Sequence, residues 1–248
     1  MTDAELAAEI AHVAGERLLA VRAGGQLTGK ALGDAGDAAA QAVILELLRG
    51  YRPNDALLSE EGASSTDRLS HDRVWIVDPL DGTREYADGR PDWAVHVALA
   101  VDGAPVIGAV ALPDRGLVLR SDVPPALAPL PPGAPRLLVS RTRPPAQAEQ
   151  VAKALGAELV PMGSAGAKAM AVVLGEGDIY LHAGGQYEWD NCAPAAVALA
   201  TGLVATRLDG SPLVYNRADP LLPDLLICRP EYEAQVHAAL AGALPAND

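Results

Sequence analysis

Over the first fifty residues, apolar side chains recur every three or four positions. Leu6, Ile10, Ala14, Leu18 and Val21 line one face of a helix that Thr2 and Glu5 open as a capping box and Gly24-Gly25 closes. A second run, from about Asp37 through Val43, Ile44, Leu47 and Leu48 to Gly50, predicts another helix, with 26–36 as a polar loop between the two. The period then drops to two. Segments 55–58, 73–77 and 93–101 read as strands, and Trp93, Val95, Val97 and Leu99 share one face of the last. Asp102-Gly103 turns the chain into a hairpin partner, 104–112.

From 122 to 135 the chain carries six prolines, which exclude helix interior and central strand, so 124–135 reads as a connection between domains at 1–123 and 136–248. Beyond it strand and helix alternate: strands at 136–140, 158–161, 178–181 and 224–228, helices at 145–155, 166–174, from Asp190 to about 201, and 231–240. The amino half is therefore expected to be α+β, two helices and an antiparallel sheet, and the carboxyl half α/β.

The chain has 248 residues, with 19 Lys plus Arg against 32 Asp plus Glu, a formal charge of −13. That balance argues against neutralising a nucleic-acid backbone and favours a divalent cation as partner. Only Cys192 and Cys228 are present, which points to a reducing compartment rather than a disulfide framework. The first residues, Met-Thr-Asp-Ala-Glu, lack the basic start and apolar run of a signal peptide, and no apolar stretch nears the ~20 residues of a bilayer-spanning helix. A cytoplasmic protein is expected, with no membrane or nucleic-acid partner.

Three acidic clusters carry the candidate chemistry. In Val77-Asp-Pro-Leu-Asp-Gly-Thr-Arg-Glu85, Asp78 and Asp81 leave a buried strand at a stiffened exit, Gly82 lets a ligand approach the backbone, and Thr83 offers a hydroxyl. Asp-Pro and Asp-Gly are also common turn dipeptides, so a capped turn is the competing reading. Glu60-Glu61 follows another apolar run and on its own reads as surface charge. Asp190, in Tyr187-Glu-Trp-Asp190, fits either a metal ligand or the N-cap of a helix, and Pro194 near the first turn agrees with a helix start there. His96 and His182 are possible ligands, His96 better explained as a packed core residue, and Cys192 reads as a buried thiol. A phosphoaspartyl mechanism of the haloacid-dehalogenase type places its second aspartate two residues after the first; here Asp81 is three after Asp78.

Taken in order, Leu58-Ser-Glu-Glu61, Asp78-Pro-Leu-Asp-Gly-Thr-Arg-Glu85 and Trp189-Asp-Asn-Cys-Ala-Pro194 resemble the motifs of the inositol monophosphatase superfamily, and within it the CysQ-type 3'(2'),5'-bisphosphate nucleotidases. The resemblance spans nearly the whole chain. It implies a layered αβαβα sandwich with an α+β amino domain and an α/β carboxyl domain. It also implies a lithium-sensitive phosphomonoesterase that uses two to three Mg²⁺ ions in the interdomain cleft. Glu60, Asp78 and the Leu80 carbonyl would hold one ion, and Asp78, Asp81 and Asp190 a second, with Glu60 reaching a looser third through water. Two cations ~4 Å apart can clamp the attacking and leaving oxygens of an in-line displacement.

The resemblance further assigns Thr83 and Asp37, together with Glu60, to activation of the attacking water. Asp34 is the alternative partner for Thr83, and Asp37 also fits a helix N-cap. Gly82 and Thr83 would cradle the phosphoryl group beside Asp81 and Asp190, while Ser140, Arg141, Ser164 and Lys168 are the candidate contacts to the rest of the substrate. Most simply the substrate is 3'-phosphoadenosine 5'-phosphate, cleaved to AMP and phosphate in sulfur metabolism. Inositol 1-phosphate or fructose 1,6-bisphosphate is the alternative, and a non-catalytic metal- or nucleotide-binding module is the rival from another class. The partner is a small phosphorylated molecule, and a monomer or homodimer is expected.

Overall fold

The computed structural model describes residues 1–62 and 66–242; residues 243–248 of the expected carboxyl domain lie outside them. Helix α1 (Asp3–Ala23) starts where the capping box places it: the Thr2 hydroxyl accepts from the Glu5 amide at 3.2 Å, and the Glu5 carboxylate accepts from the Thr2 amide at 2.8 Å. Helix α2 (Gly29–Tyr51) begins eight residues earlier than the hydrophobic period suggests, so most of the expected loop is helix. Its first turns are short of large apolar residues because they lie close against a neighbour. A Cβ on Gly33 would sit 2.6 Å from the Thr83 methyl, and one on Gly36 2.9 Å from the Tyr86 ring. Asp37 is thus an interior residue of α2, and the N-cap reading of it is overturned: the cap is Thr28.

The first sheet follows chain order: β1 (Ala56–Ser59), β2 (Arg73–Asp81), β3 (Ala94–Val101), β4 (Ala104–Leu112) and β5 (Leu117–Arg120), a short edge strand that no alternation announced. The expected all-antiparallel pairing is corrected at one edge, where β1 runs parallel to β2. The β3–β4 turn places Asp102 and Gly103 at φ 50° and 77°, the doubly left-handed form suited to a two-residue hairpin. Strand β2 does not stop at Val77. It continues through a bulge in which Asp78 pairs with His96 but Asp81 with Ala94, so β2 holds one extra residue; Pro79, which cannot donate to a ladder, sits in it. Helix α3 (Thr83–Ala87) follows at once.

The second sheet has the order β7 (Glu158–Met162), β6 (Arg136–Ser140), β8 (Ile179–Tyr187), β10 (Leu221–Cys228), β9 (Val204–Thr206). β6 is parallel to β7 and β8, while β10 runs antiparallel to β8 and β9. The remaining helices are α4 (Ala146–Leu155), α5 (Ala165–Val173), α6 (Glu188–Thr201) and α7 (Pro230–Ala241). Two expectations for α6 change. Asp190 is its third residue rather than its cap, and Pro194 lies in the helix interior, where it has no N–H to return to the Asp190 carbonyl.

These elements stack in five layers. Leu6, Ile10, Leu18 and Ile44 of α1 and α2 pack on Trp75, Val77, Val95, Val97 and Leu99 of the first sheet, the face anticipated for β3. On its other face Ile76, Ala98 and Val110 meet α5 and α6, which also cover Tyr180, Leu225 and Ile227 of the second sheet. Helices α4 and α7 close the far side through Val151 and Val236 against Leu137, Ile179 and Leu226. The layered αβαβα architecture is as expected. Among the described residues no helix is long and apolar enough to cross a membrane.

The middle layer lies close because both surfaces are small. A Cβ on Gly108 of β4 would fall 2.5 Å from the Ala193 carbonyl oxygen and 2.8 Å from the Ala196 methyl of α6. Gly108→Ala is therefore expected to cost about 1–3 kcal/mol as an overpacking change. Urea unfolding should show a lower midpoint at an unchanged slope, and an unchanged midpoint would show that the layers yield freely.

Candidate active site

The bulge in β2 turns two successive acids toward the middle layer. Asp78 is 1% exposed, with Oδ1 accepting the Leu80 amide at 3.0 Å, a short loop that fixes its carboxylate. Gly82 then takes φ 89°, and a Cβ there would crowd Ser164 and Trp93 at 3.1 and 3.2 Å, so the turn into α3 needs glycine both for its torsion and for its close approach. Asp190 approaches from the first turn of α6, where it accepts the Tyr187 amide at 2.6 Å. Carboxylate oxygens of Asp78, Asp81 and Asp190 lie within 4.8 Å of one another.

The three acids do not share one environment. Asp81 collects donors from the start of α5: the Ser164 hydroxyl, the Ala165 amide at 3.1 Å and the Gly166 amide at 2.6 Å. His96 Nε2 stands 3.3 Å away. Burial pushes this carboxyl upward, but the contacts from His96 and Ser164 outweigh it and hold Asp81 down at about 2. Asp78 has no such supply. Burial, followed by the charges of Glu60, Asp81 and Asp190, raises it well above the ordinary range. Asp190 is likewise pushed up to about 7, by burial and then by Asp81.

A second acidic group lies alongside. Asp37, Glu60 and Glu61 offer oxygens within 4.8 Å of one another, and the charge of Glu60 reaches Asp78 in the first group, where it adds to burial in raising that carboxyl. Burial and the charges of Glu60 and Glu61 raise Asp37 to about 7. Its Oδ1 is buried without a partner, while Oδ2 lies 3.5 Å from the Thr83 hydroxyl. That hydroxyl is closer to the Leu80 carbonyl, at 3.1 Å. Asp34, the alternative partner for Thr83, is instead exposed and paired with Lys30 at 2.6 Å.

Every donor in both groups is a carboxylate oxygen, one of them buried and unpartnered, and burial, with the repulsion of neighbouring acids added to it, raises Asp78, Asp37 and Asp190 together. A hard divalent cation is the ligand such a donor set fits.

The candidate substrate contacts divide. Ser164 faces Asp81. Lys168 is buried under the same loop, donating to the Gly163 carbonyl at 3.2 Å and to the Ser164 carbonyl; burial lowers it to about 8 against the pull of neighbouring acids. Arg141 is spent on two carboxylates, Glu85 at 3.0 Å and Asp92 at 2.5 Å. The Ser140 hydroxyl accepts the Arg143 amide at 3.3 Å. With Gly82, Thr83, Arg84 and Arg143, these residues border a cavity of about 300 Å³ next to the acids.

His96 is fully buried, as a packed residue is, and its ring also reaches the acids of the site. Its Nδ1 donates to the Trp189 carbonyl at 2.9 Å, so Nε2 can donate to Asp81 only when the ring is charged, and the Asp81 contact outweighs burial to raise its pKa. The available signal was position: His96 is the cross-strand partner of Asp78. Gly166 leaves room for that ring, since a Cβ there would fall 2.0 Å from Nε2. Gly166→Ala should displace His96 from Asp81 and lower stability by about 1–3 kcal/mol. The ring's NMR resonances should move with it, and an unmoved imidazole would show that α5 gives way instead.

A 3'-phosphoadenosine 5'-phosphate phosphatase from Mycobacterium leprae is 53% identical over 244 residues, covering 92% of this chain and 90% of that one. The 3'(2'),5'-bisphosphate nucleotidase CysQ of Escherichia coli is 29% identical over 205 residues, 76% of this chain and 81% of that protein. The crystal structure of CysQ from Bacteroides thetaiotaomicron superposes with a TM-score of 0.79 at 24% identity, over 92% of this chain and 97% of that one, a likeness of fold. The model of the inositol monophosphatase family matches residues 2–121 and 134–244, and the chain belongs to that family.

Proposed function

We propose that the protein is a Mg²⁺-dependent phosphomonoesterase that hydrolyses 3'-phosphoadenosine 5'-phosphate to AMP and phosphate. The observation that carries this reading is the convergence of Asp78, Asp81 and Asp190 alongside a second group of Asp37, Glu60 and Glu61, with Glu60 near enough for its charge to raise Asp78. The relative from Mycobacterium leprae that bears this activity in its name supports the choice of substrate.

In this reading Glu60, Asp78 and the Leu80 carbonyl hold one ion, and Asp78, Asp81 and Asp190 another. The bound cations supply Lewis-acid stabilisation of the charge that builds on the phosphoryl oxygens. The chain does the rest. Thr83 orients the attacking water by accepting from it or donating to it, and Asp37, already close to neutrality in its proton affinity, takes up the proton through the Thr83 hydroxyl. The Gly82 and Thr83 amides receive the phosphoryl group where the backbone is open. Residues 1–123 bring most of these groups and 136–248 bring Asp190 and the loop that grips Asp81. Two buried free thiols accord with a reducing, cytoplasmic setting.

Phosphate release from 3'-phosphoadenosine 5'-phosphate, inositol 1-phosphate and fructose 1,6-bisphosphate, measured side by side with Mg²⁺ and with chelator, tests the reading. The bisphosphate nucleotide should be the best substrate, and Asp78→Asn should lower its turnover by at least ~100-fold with an unchanged circular dichroism spectrum. Binding without release from any of the three would favour a non-catalytic module. Mg²⁺ at ~100 times its Kd should add about 2.7 kcal/mol, a rise of roughly 5–10 °C in Tm for a chain of this size. A wild-type Tm indifferent to Mg²⁺ would remove the cation from the reading.

A further inference from the structure

Two buried charged side chains, Arg68 and Glu188, take no part in the reaction described above, and one short segment joins them. Arg68, in the 3₁₀ turn Thr66–Ser70 between β1 and β2, is 3% exposed. Glu188, the first residue of α6, is fully buried. Such groups are tolerated in a protein interior only where hydrogen bonds replace the water they lose. Residues 215–217, between β9 and β10, supply those bonds to both.

Glu188 accepts two consecutive amides, from Asn216 at 2.7 Å and from Arg217 at 2.8 Å. The same two residues receive Arg68, whose guanidinium donates to Asn216 Oδ1 and to the Arg217 carbonyl, each at 2.7 Å. Asn216 Nδ2 donates back to the Arg68 carbonyl at 3.1 Å. Asn216 holds φ at 58°, a left-handed torsion that asparagine tolerates better than most residues. Tyr215 adds two more ties: its amide donates to the Gly103 carbonyl in the β3–β4 turn at 2.9 Å, and its hydroxyl to Asn191 Oδ1 at 2.9 Å.

The ends of this brace matter more than its length. Glu188 stands two residues before Asp190 and Asn191 one residue after, so the segment grips the first turn of α6 on both sides of that acid. Its other ends are fixed to connections of the first sheet, the sheet whose β2 carries Asp78 and Asp81. Asp190 has to meet those two acids from a different layer. The Tyr187 amide that its carboxylate accepts belongs to the start of the same helix and cannot set its distance from β2. His96 gives the turn one hold from β3, through the Trp189 carbonyl at 2.9 Å, and residues 215–217 give it another. Resting on the phosphatase reading above, we infer that Arg68, Asn216 and Glu188 form a brace that fixes Asp190 against Asp78 and Asp81, which makes Arg68 and Asn216 positioning residues for a cation held by the three acids.

Mg²⁺ binding, measured by titration calorimetry on folded protein well below its Tm, tests the brace. Arg68→Ala should weaken binding by about 10- to 100-fold, as the loss of a partner behind a metal ligand does. Asn216→Gly keeps the left-handed torsion and both amides to Glu188 while removing the carboxamide that Arg68 grips, and should weaken binding in the same direction. Arg68→Lys, without the planar fork, should recover only part of the loss. Phosphate release by these variants should fall at low Mg²⁺ and return toward the wild-type rate as Mg²⁺ is raised. In an Asp190→Asn background Arg68→Ala should add little further loss of affinity, because the brace acts through Asp190. A role in stability alone would lower Tm and leave the Mg²⁺ Kd unmoved. That result in Arg68→Ala and Asn216→Gly, or a full additional loss in Asp190→Asn, would overturn the inference while leaving the phosphatase reading intact; should Arg68→Ala not fold, Asn216→Gly decides alone. A wild type that binds no Mg²⁺ would overturn that reading, and this inference with it.

Discussion

The carboxylate of Asp81 is the joint on which the site depends. It ends a strand of the first sheet, yet three of its donors come from the start of α5 in the middle layer. A buried charge is tolerated only when hydrogen bonds replace its lost water, so the last residue of β2 and the first turn of α5 cannot part without leaving that charge unmatched. Asp81 thereby stays ionised while Asp78, on the other side of one bulge, is driven the opposite way. The two acids differ in donors rather than in depth. One is neutralised by the protein itself, and the other is left for a cation to neutralise.

Such closeness between layers needs small residues at the contacts. Gly33 admits Thr83, Gly36 admits Tyr86 and Gly166 admits His96, each at a distance no side chain could share. Asp37 on α2 meets Thr83 because Gly33 and Gly36, just ahead of it, bring the helix in. Part of the low hydrophobic contrast of α2 is thus a positioning device, since a larger residue at Gly33 would meet Thr83 and one at Gly36 would meet Tyr86 and Leu18.

What could be read from the chain follows from this. Periodicity gave the long helices and central strands, since their large apolar residues face a layer, and the three acidic motifs were visible as clusters after apolar runs. The start of α2 was hidden because glycine reads as loop when the reason for glycine is a neighbour distant in sequence. His96 was taken for core because it is core: only its register opposite Asp78 tells that its ring faces a carboxylate. Asp190 looked like a cap because Asp and a nearby Pro imitate a helix start, while the actual start is three residues earlier, at Tyr187. Arg141 offered a cation in the right loop, and no local feature could say that Glu85 and Asp92 had already claimed it.

The pairing of Arg141 has a wider meaning for a chain this acidic. With a net charge of −13, the field around the molecule repels any phosphorylated compound, and the carboxylate cluster adds to that repulsion locally. A cation held in that cluster would remove the repulsion only locally. Approach and orientation then depend on where uncompensated positive charge lies near the entrance, and a guanidinium already paired with acid contributes almost nothing at that range. Arg141 engages both Glu85 and Asp92 and offsets one of their two charges, while Arg84 and Arg143 border the same cavity. The sign of the local field is set by which arginine pairs with which acid, a choice made by the packing of α3 against the loop after β7, and net charge alone carries no trace of it.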